Sequence, residues 1–316
     1  MLQALVKSLS YEADGIVSVE LVAQDGGPLP PFTAGAHIDL HLRKGLSRSY
    51  SLTNSQDERH RYVVAVNKDP ASRGGSRHVH EVLRPGDRLE ISEPRNNFAL
   101  VEAGPHVVFV GGGIGVTPLW CMIQRLEALG RSWELHYSAR TRHKCAYHGE
   151  LQALEHRSPG RVHFHFDDEH GGAPMDLTAL VRGVASEAHL YCCGPAPMLK
   201  GFEEATAARP SGQVHVEYFS AKSDAAVGGG YKLVLARAGR SFDVGAGKSI
   251  LDTLLDAGVD VPFSCMQGVC GACETRVLSG QPDHRDSVLS AEEMAAGKTM
   301  MICCSGSKSE TLVLDL

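Results

Sequence analysis

Hydrophobic and polar positions change their period along this chain. Over the first hundred residues the period is two: Val17, Val19 and Leu21 alternate with Ser18 and Glu20, and RYVVAV at 61–66 is a second strand-like run. Gly and Pro interrupt at DGGPLPP (25–31), RGGS (73–76) and RPGD (84–87). Many short strands bounded by turns predict a small antiparallel β-barrel. From about residue 105, strand-sized apolar runs alternate with helix-length stretches. VVFV (107–110), WELHY (133–137), VHFHF (162–166), HLYCC (189–193) and VHVEY (214–218) are the predicted strands, with helices between them, including 118–129 and 195–208. Each crossover is long enough for a βαβ unit, so the prediction is an α/β domain with a parallel sheet. Ligands of such sheets bind at the carboxyl ends of the strands. AKSDAAVGGG (221–230) is a linker by composition. The expected organisation is a barrel over 1–103, an α/β domain over 104–222, a linker over 223–230 and a third unit over 231–316.

Composition narrows the class. At roughly 100–150 residues per domain, 316 residues make two or three units. With 43% hydrophobic and 22% charged residues, a largely disordered chain is excluded. A net charge of −6 supplies no basic footprint for nucleic acid. No apolar run approaches the roughly 20 residues of a membrane span, and the N-terminus lacks a signal-peptide pattern. The expectation is a soluble, cytoplasmic protein with neither nucleic acid nor membrane as partner. Residues 231–316 carry eight Lys/Arg against eleven Asp/Glu, half of the chain's net charge in about a quarter of its length.

The nine cysteines change the picture most. A reducing compartment argues against structural disulfides, and five cysteines crowd the last 52 residues. Cys265-x4-Cys270-x2-Cys273, followed after 29 residues by Cys303, is the plant-type ferredoxin spacing for a 2Fe–2S cluster. Three thiolates come from one loop and one from a distant segment. Gly268 and Gly271 let the loop backbone approach the sulfurs. Zinc is the rival reading, since Cys270-x2-Cys273 alone is a half-site, but a zinc ribbon would supply a second close CxxC. Cys303 is taken as fourth ligand and Cys304 as spectator, because consecutive side chains of an extended segment point opposite ways.

Two further constellations suit phosphate and ring binding. In RSYSLTN (48–54), Arg48 could hold a phosphate, Tyr50 lie against a ring and Ser51 donate a hydrogen bond to it; taken alone, the run reads equally as a surface strand. Gly74-Gly75-Ser76 opens a predicted helix, where exposed N–H groups bind anions. GGGIGVTPL (111–119) follows a strand and opens a helix, although it is neither the Gly-x-Gly-x-x-Gly fingerprint nor a P-loop. CGPAPM (193–198) repeats that geometry, with Cys193 at a strand's carboxyl end and Cys192 as a buried small hydrophobe.

RSYS, RGGS, GGGIGVTPL, CGPAPM and CMQGVCGAC, in this order, resemble the phthalate dioxygenase reductase family of flavin and iron–sulfur reductases, which includes the reductases of vanillate-type O-demethylases. The likeness covers essentially the whole chain. It implies an FMN-binding barrel, an NADH-binding α/β domain and a C-terminal plant-type ferredoxin domain of β-grasp form. By the same likeness Arg48, Tyr50 and Ser51 grip the flavin, with Ser51 near its reactive nitrogen. Ala65, Val66 and Asn67 line that site through their backbone, and Gly74, Gly75 and Ser76 hold the phosphate. Gly113, Thr117 and Cys193 place the nicotinamide, and Glu217 and Phe219 match the segment that closes the flavin site. Ser51, Thr117 and Cys193 are thereby the residues nearest the chemistry. Two positions depart from the family: Gly306 stands where relatives more often show Arg, and Met266 where an acidic residue is frequent.

A nicotinamide delivers two electrons together, whereas a 2Fe–2S cluster accepts one. A flavin between them splits the pair, and the protein supplies placement rather than an acid or base. The chain itself shows no Rieske site, since only Cys145-Ala-Tyr-His148 matches half of one. A mononuclear iron site would need two His and a carboxylate, and no recognisable oxygenase domain has room. The resemblance therefore implies a reductase component, monomeric, whose acidic ferredoxin unit docks transiently on a Rieske-type terminal oxygenase. The alternatives are a non-Rieske acceptor, a separate ferredoxin, or an iron–sulfur carrier or redox sensor without flavin activity. Arg140, Arg142 and Lys144 read either as contacts to the 2′-phosphate of NADPH or as a solvated basic turn.

Overall fold

The computed structural model describes every residue except Lys44, Arg73 and Pro159. It divides into two compact units, Met1–Glu217 and Tyr218–Leu316.

The first unit opens with β1 (Leu2–Ala13), β2 (Ile16–Ala23), β3 (His37–Arg43), β4 (Leu46–Ser51), β5 (Tyr62–Asn67), the short helix α1 (Gly75–Glu81) and β6 (Arg88–Ile91). The strands form one antiparallel sheet in the order β4-β3-β6-β1-β2-β5. Its two edges meet where Leu52 bridges to Val64 and Thr53 N–H donates to Val63 O at 2.8 Å, which closes the barrel. Inward residues such as Ala4, Val6, Ile38 and Leu40 are fully buried. The simple alternation fails at Ser18, which is buried where it was expected outside; its hydroxyl serves the Glu12 carboxyl.

The same unit continues with β7 (Val107–Gly112), α2 (Val116–Leu129), β8 (Trp133–Ala139), α3 (His148–Arg157), β9 (Val162–Phe166), α4 (Leu177–Gly183), β10 (His189–Cys193), α5 (Ala196–Thr206) and β11 (Val214–Glu217). All strands are parallel, in the order β11-β10-β7-β8-β9. The chain runs outward from β7 through β8 to β9, then crosses back to β10. That reversal makes the gap between the ends of β7 and β10 a topological switch point, the usual crevice for a ligand. Helix α2 begins two residues before its predicted start, because the 3-10 turn Gly113–Gly115 leads directly into it. Its buried Val116, Leu119, Met122, Ile123 and Leu126 follow helical spacing, and Gly130, left-handed at φ 63°, caps its end.

The second unit holds β12 (Tyr231–Leu235), β13 (Arg240–Val244), α6 (Ile250–Asp256), β14 (Glu274–Ser279), β15 (Pro282–Asp283), α7 (Ala291–Ala296), β16 (Thr299–Met301), β17 (Gly306–Ser307) and β18 (Thr311–Leu314). Its mixed sheet runs β13-β12-β18-β14-β16, with β12 and β18 parallel. Leu233, Leu254, Met300, Ile302 and Leu312 form its core. A capping box starts α6: Ser249 Oγ accepts from Asp252 N–H at 3.0 Å, and the Asp252 carboxylate accepts from Ser249 N–H at 3.1 Å.

The segment read as a linker is tied to this unit rather than free. Ala226 N–H donates to Cys304 O at 2.7 Å, Gly247 N–H to Val227 O at 2.7 Å, and Ser223 Oγ to Arg285 O at 3.1 Å. Small side chains let it lie flat on the domain. Among the described residues, no helix is long and apolar enough to cross a membrane.

Candidate functional site

Three sets of residues carry the chemistry. In the second unit Cys265, Cys270, Cys273 and Cys303 are all buried. The Cys265 thiol lies within hydrogen-bonding reach of both Cys270 and Cys303, so the loop and the turn after β16 converge. Gln267 N–H points at Cys265 Sγ at 3.3 Å, and Val269 N–H faces the same sulfur. The loop winds this way through left-handed residues: Met266 at φ 55°, Gly268 at 68° and Gly271 at 75°. A Cβ at Gly268 would stand 2.5 Å from Cys304 Sγ and 3.0 Å from Asp286 Cα, so only glycine fits there. Two irons take four thiolates as two pairs, and a buried all-thiol set fed by loop N–H groups fits that need.

Cys304 corrects the reasoning used for it. Residues 302–304 form a turn, not an extended segment, and the Cys304 thiol lies within hydrogen-bonding reach of Cys303. It also faces Met301 O and Ser305 Oγ, each at 3.8 Å. Gly306 has a steric role: a Cβ there would meet Ala226 Cβ at 2.9 Å, so the docked linker occupies the space that a side chain would need.

In the barrel, Arg48 lies along the turn before α1. A Cβ on Gly75 would stand 2.5 Å from Arg48 Cγ, and Gly74 is left-handed at φ 98°. The structure thus brings Arg48 and Gly74-Gly75 together. Ser76 Oγ accepts from Asp69 N–H at 3.1 Å, which turns it toward the preceding loop; Arg73 lies outside the described residues. Tyr50 is half-buried, and burial pushes its phenol up to about 12 against the opposing pull of Arg48. Ser51, Ala65 and Val66 are buried, Asn67 is exposed, and His80 Nε2 sits 2.9 Å from Val66 O.

At the switch point the two glycine-bearing turns interlock. A Cβ on Gly115 would lie 2.2 Å from Cys193 O, one on Gly112 2.6 Å from Pro195 Cδ, and one on Gly194 3.1 Å from Gly112 Cα. Gly113 differs: it is left-handed at φ 52° with nothing within 4 Å of a Cβ, so it faces open space. Thr117 is buried and donates to Ile114 O at 2.9 Å. Cys193 Sγ lies 3.9 Å from Glu217 Oε2. Burial pushes the Glu217 carboxyl up to about 8 and the Cys193 thiol well above its ordinary value, so both are predominantly uncharged at neutral pH. Phe219 falls in the second unit and is 40% exposed.

The barrel and the parallel sheet meet at this place. Strand β5, bearing Ala65–Asn67, touches the Gly113–Gly115 turn. From α2, Cys121 Sγ reaches Asn54 O at 3.2 Å and Gln124 Nε2 donates to Thr53 O at 2.7 Å. Sequence reasoning held Gly112, Gly115 and Gly194 within its two turn motifs but missed their contact with one another and these α2 contacts, because only the strand order makes the segments neighbours. A groove of about 690 Å³ continues along the strand ends, lined by Ser138, Asp167, Asp176, Pro195, Met198 and Glu204 among others. Its three carboxylates disfavour a 2′-phosphate. Arg142, one of the three basic residues read either as phosphate contacts or as a solvated turn, pairs with Glu169 at 3.0 Å and covers the Phe166 ring at 4.5 Å.

Residues 233–307 match the 2Fe-2S iron-sulfur cluster binding domain, and residues 109–204 match the oxidoreductase NAD-binding domain. The chain is similar to the phenoxybenzoate dioxygenase subunit beta of Ectopseudomonas oleovorans, at 53% identity over 98% of this chain and 96% of that one. It is 50% identical to the tetrachlorobenzoquinone reductase of Sphingobium chlorophenolicum, over 98% and 97%. Among solved structures, phthalate dioxygenase reductase, described as modular for electron transfer from pyridine nucleotides to [2Fe-2S], is 40% identical with a TM-score of 0.75 over 100% of this chain and 98% of that chain. An intact type IV self-sufficient cytochrome P450 monooxygenase aligns with a TM-score of 0.89 at 38% identity; all of this chain spans 41% of that one.

Proposed function

The chain belongs to the phthalate dioxygenase reductase family, and from that premise we propose how its residues divide the work and which partner takes the electrons. It is an NADH-dependent flavin and iron–sulfur oxidoreductase, a reductase of an oxygenase system that passes electrons from NADH through FMN to a 2Fe–2S cluster. The flavin supplies two-electron uptake with one-electron release, and the cluster supplies one-electron carriage at a potential near about −400 mV.

In this reading Arg48 neutralises the FMN phosphate beside Gly74, Gly75 and Ser76. Tyr50 covers the ring, Ala65, Val66 and Asn67 line it, and Ser51 donates to its reactive nitrogen. Gly113 opens the bed for the nicotinamide, and Thr117, buried under it, holds the helix start in place. Cys193 and Glu217 would wall the bed with neutral groups and so keep fixed negative charge away from a bound nicotinamide. Phe219 belongs to the segment closing the flavin site. Cys265, Cys270, Cys273 and Cys303 hold the cluster. The domain limits are proposed at 103/104 and 222/223, with the docked linker ending at 230.

The observation that carries this reading is the interlocked pair of glycine turns at the switch point, with β5 of the barrel against one of them. In this reading a ring bound to the parallel sheet would meet a ring bound to the barrel there.

We infer further that the acceptor is a Rieske-type terminal oxygenase, met transiently by a monomeric cytoplasmic reductase. The 53% identity to a dioxygenase subunit supports it. The test is anaerobic reduction of a purified Rieske oxygenase by NADH with catalytic amounts of this protein. Salt-sensitive reduction that requires the cluster is expected; no reduction of any Rieske partner overturns the inference. A second reading, direct delivery to a small quinone, is favoured by the 50% identity to a quinone reductase. NADH-dependent quinone reduction faster than oxygenase reduction would establish it.

A further inference from the structure

The parallel sheet carries a group of side chains that the nucleotide groove does not use. Glu134 and His136 stand two apart on β8 and therefore project from one face. His163 on β9 is the register partner of His136, so its ring joins that face. The two imidazoles stack with centroids 4.6 Å apart and planes 19° apart. His136 Nε2 lies 3.3 Å from Glu134 Oε1. One ligand atom from each of the three residues lies within 4.8 Å of the others.

We propose that Glu134, His136 and His163 form a binding site for a divalent transition cation of the zinc class, with the remaining coordination positions open to water. Two imidazoles and one carboxylate are a borderline donor set. Calcium and magnesium call for oxygen ligands, and thiolate is absent, so zinc-class ions match the donors best. Zinc bonds of about 2.1 Å imply roughly 3.4 Å between tetrahedral ligands. The ligand atoms lie within 4.8 Å of one another, so closing the site needs a shift of about 1.4 Å, and His163 is exposed. Two adjacent strands fix the three Cα positions, which is better pre-organisation than a loop supplies.

His106 is a neighbour of the site. Its Nε2 lies 3.9 Å from Glu134 Oε2, beyond hydrogen-bond reach, and its Nδ1 is 2.8 Å from Ser132 Oγ. The site sits on the same face as Ser138 of the groove, with His136 roughly 7 Å back along β8. It is therefore separate from the groove.

The test uses the holoprotein with its cluster intact, titrated calorimetrically with ZnCl₂ in a non-chelating buffer and examined at the zinc absorption edge. One equivalent is expected, in a nitrogen and oxygen shell at about 2.0–2.2 Å with no sulfur near 2.3 Å. Affinity should fall at least tenfold in His163→Ala and in Glu134→Gln, with visible cluster absorption unchanged. Absence of stoichiometric binding, a shell containing sulfur, or wild-type affinity in either variant overturns the proposal. His163 is exposed, so its removal leaves folding intact.

Discussion

The cysteine loop and the switch-point cleft solve the same problem of placement by opposite means. Nine consecutive residues, 265–273, supply three of the four thiols, and backbone dihedrals at Met266, Gly268 and Gly271 aim them. The cleft is assembled from turns nearly eighty residues apart, and what aligns them is the absence of side chains at Gly112, Gly115 and Gly194. A site built within one loop depends on each donor. A site built from distant segments depends on the fit between them. Single changes should therefore fail in different ways.

The largest expected effect is at a thiol. Cys273→Ser should abolish the cluster and all oxygenase reduction, while NADH-to-ferricyanide activity, which needs only the first unit, persists. Loss of both activities would show that the two regions are not independent. Gly115→Ala is the counterpart in the cleft. An added methyl would have to displace backbone at 2.2 Å, and strain of this kind costs about 1–3 kcal/mol. Misplacement near 1 Å can lower a rate about 100-fold, so stopped-flow flavin reduction by NADH should slow at least tenfold with cluster content unchanged. Gly149→Ala, on α3 with nothing within 4 Å of an added Cβ and no left-handed backbone, should slow it much less. Equal effects would remove the contact between the turns as the cause.

Arg48→Ala probes the barrel side of the cleft. Its side chain lies against Gly75, so flavin released on dialysis should increase severalfold over the wild type, and most at low salt, where the lost attraction is least screened. Unchanged flavin content would remove Arg48 from the phosphate site.

The same contrast explains what could be read from the sequence. The cluster loop was legible because its signal is local, as was β7–turn–α2, where an apolar run, glycines and helical spacing follow one another. The proximity of Gly115 to Cys193 was not legible, since it depends on strand order rather than spacing. Nor was the docking of 223–230: a run of small residues reads as flexible unless the surface awaiting it is known. The same small residues pack beside Gly306, which the family resemblance alone presents as a lost charge. Ser18 shows the converse, a polar residue that alternation places outside but a nearby carboxyl draws inward.

Glu217 distinguishes the cleft from the loop by pH. Burial raises its carboxyl from 4.5 to about 8, so between those values the folded state holds a proton that the unfolded state has released. The stability this group contributes is complete below about 4.5 and is lost as pH rises through 8. Glu217→Gln keeps the shape and removes the titration. Urea midpoints of the variant should therefore gain on the wild type between pH 5 and pH 9 and run parallel above it. Parallel curves throughout would place the Glu217 carboxyl near its ordinary value.

The smallest expected effect tests whether dihedrals aim the loop. Met266 is the one non-glycine in the loop with positive φ, 55°, and it is 41% exposed. Its side chain therefore contributes little packing to offset the cost of that conformation, about 1–2 kcal/mol for an L-residue. Glycine relieves the strain but has more freedom to lose on folding. Met266→Gly should consequently change the stability of the second unit by no more than about 1 kcal/mol, in the stabilising direction, with cluster absorption intact. A loss of cluster on this substitution would mean that the methionine side chain, rather than the backbone it sits on, holds the loop around its metal.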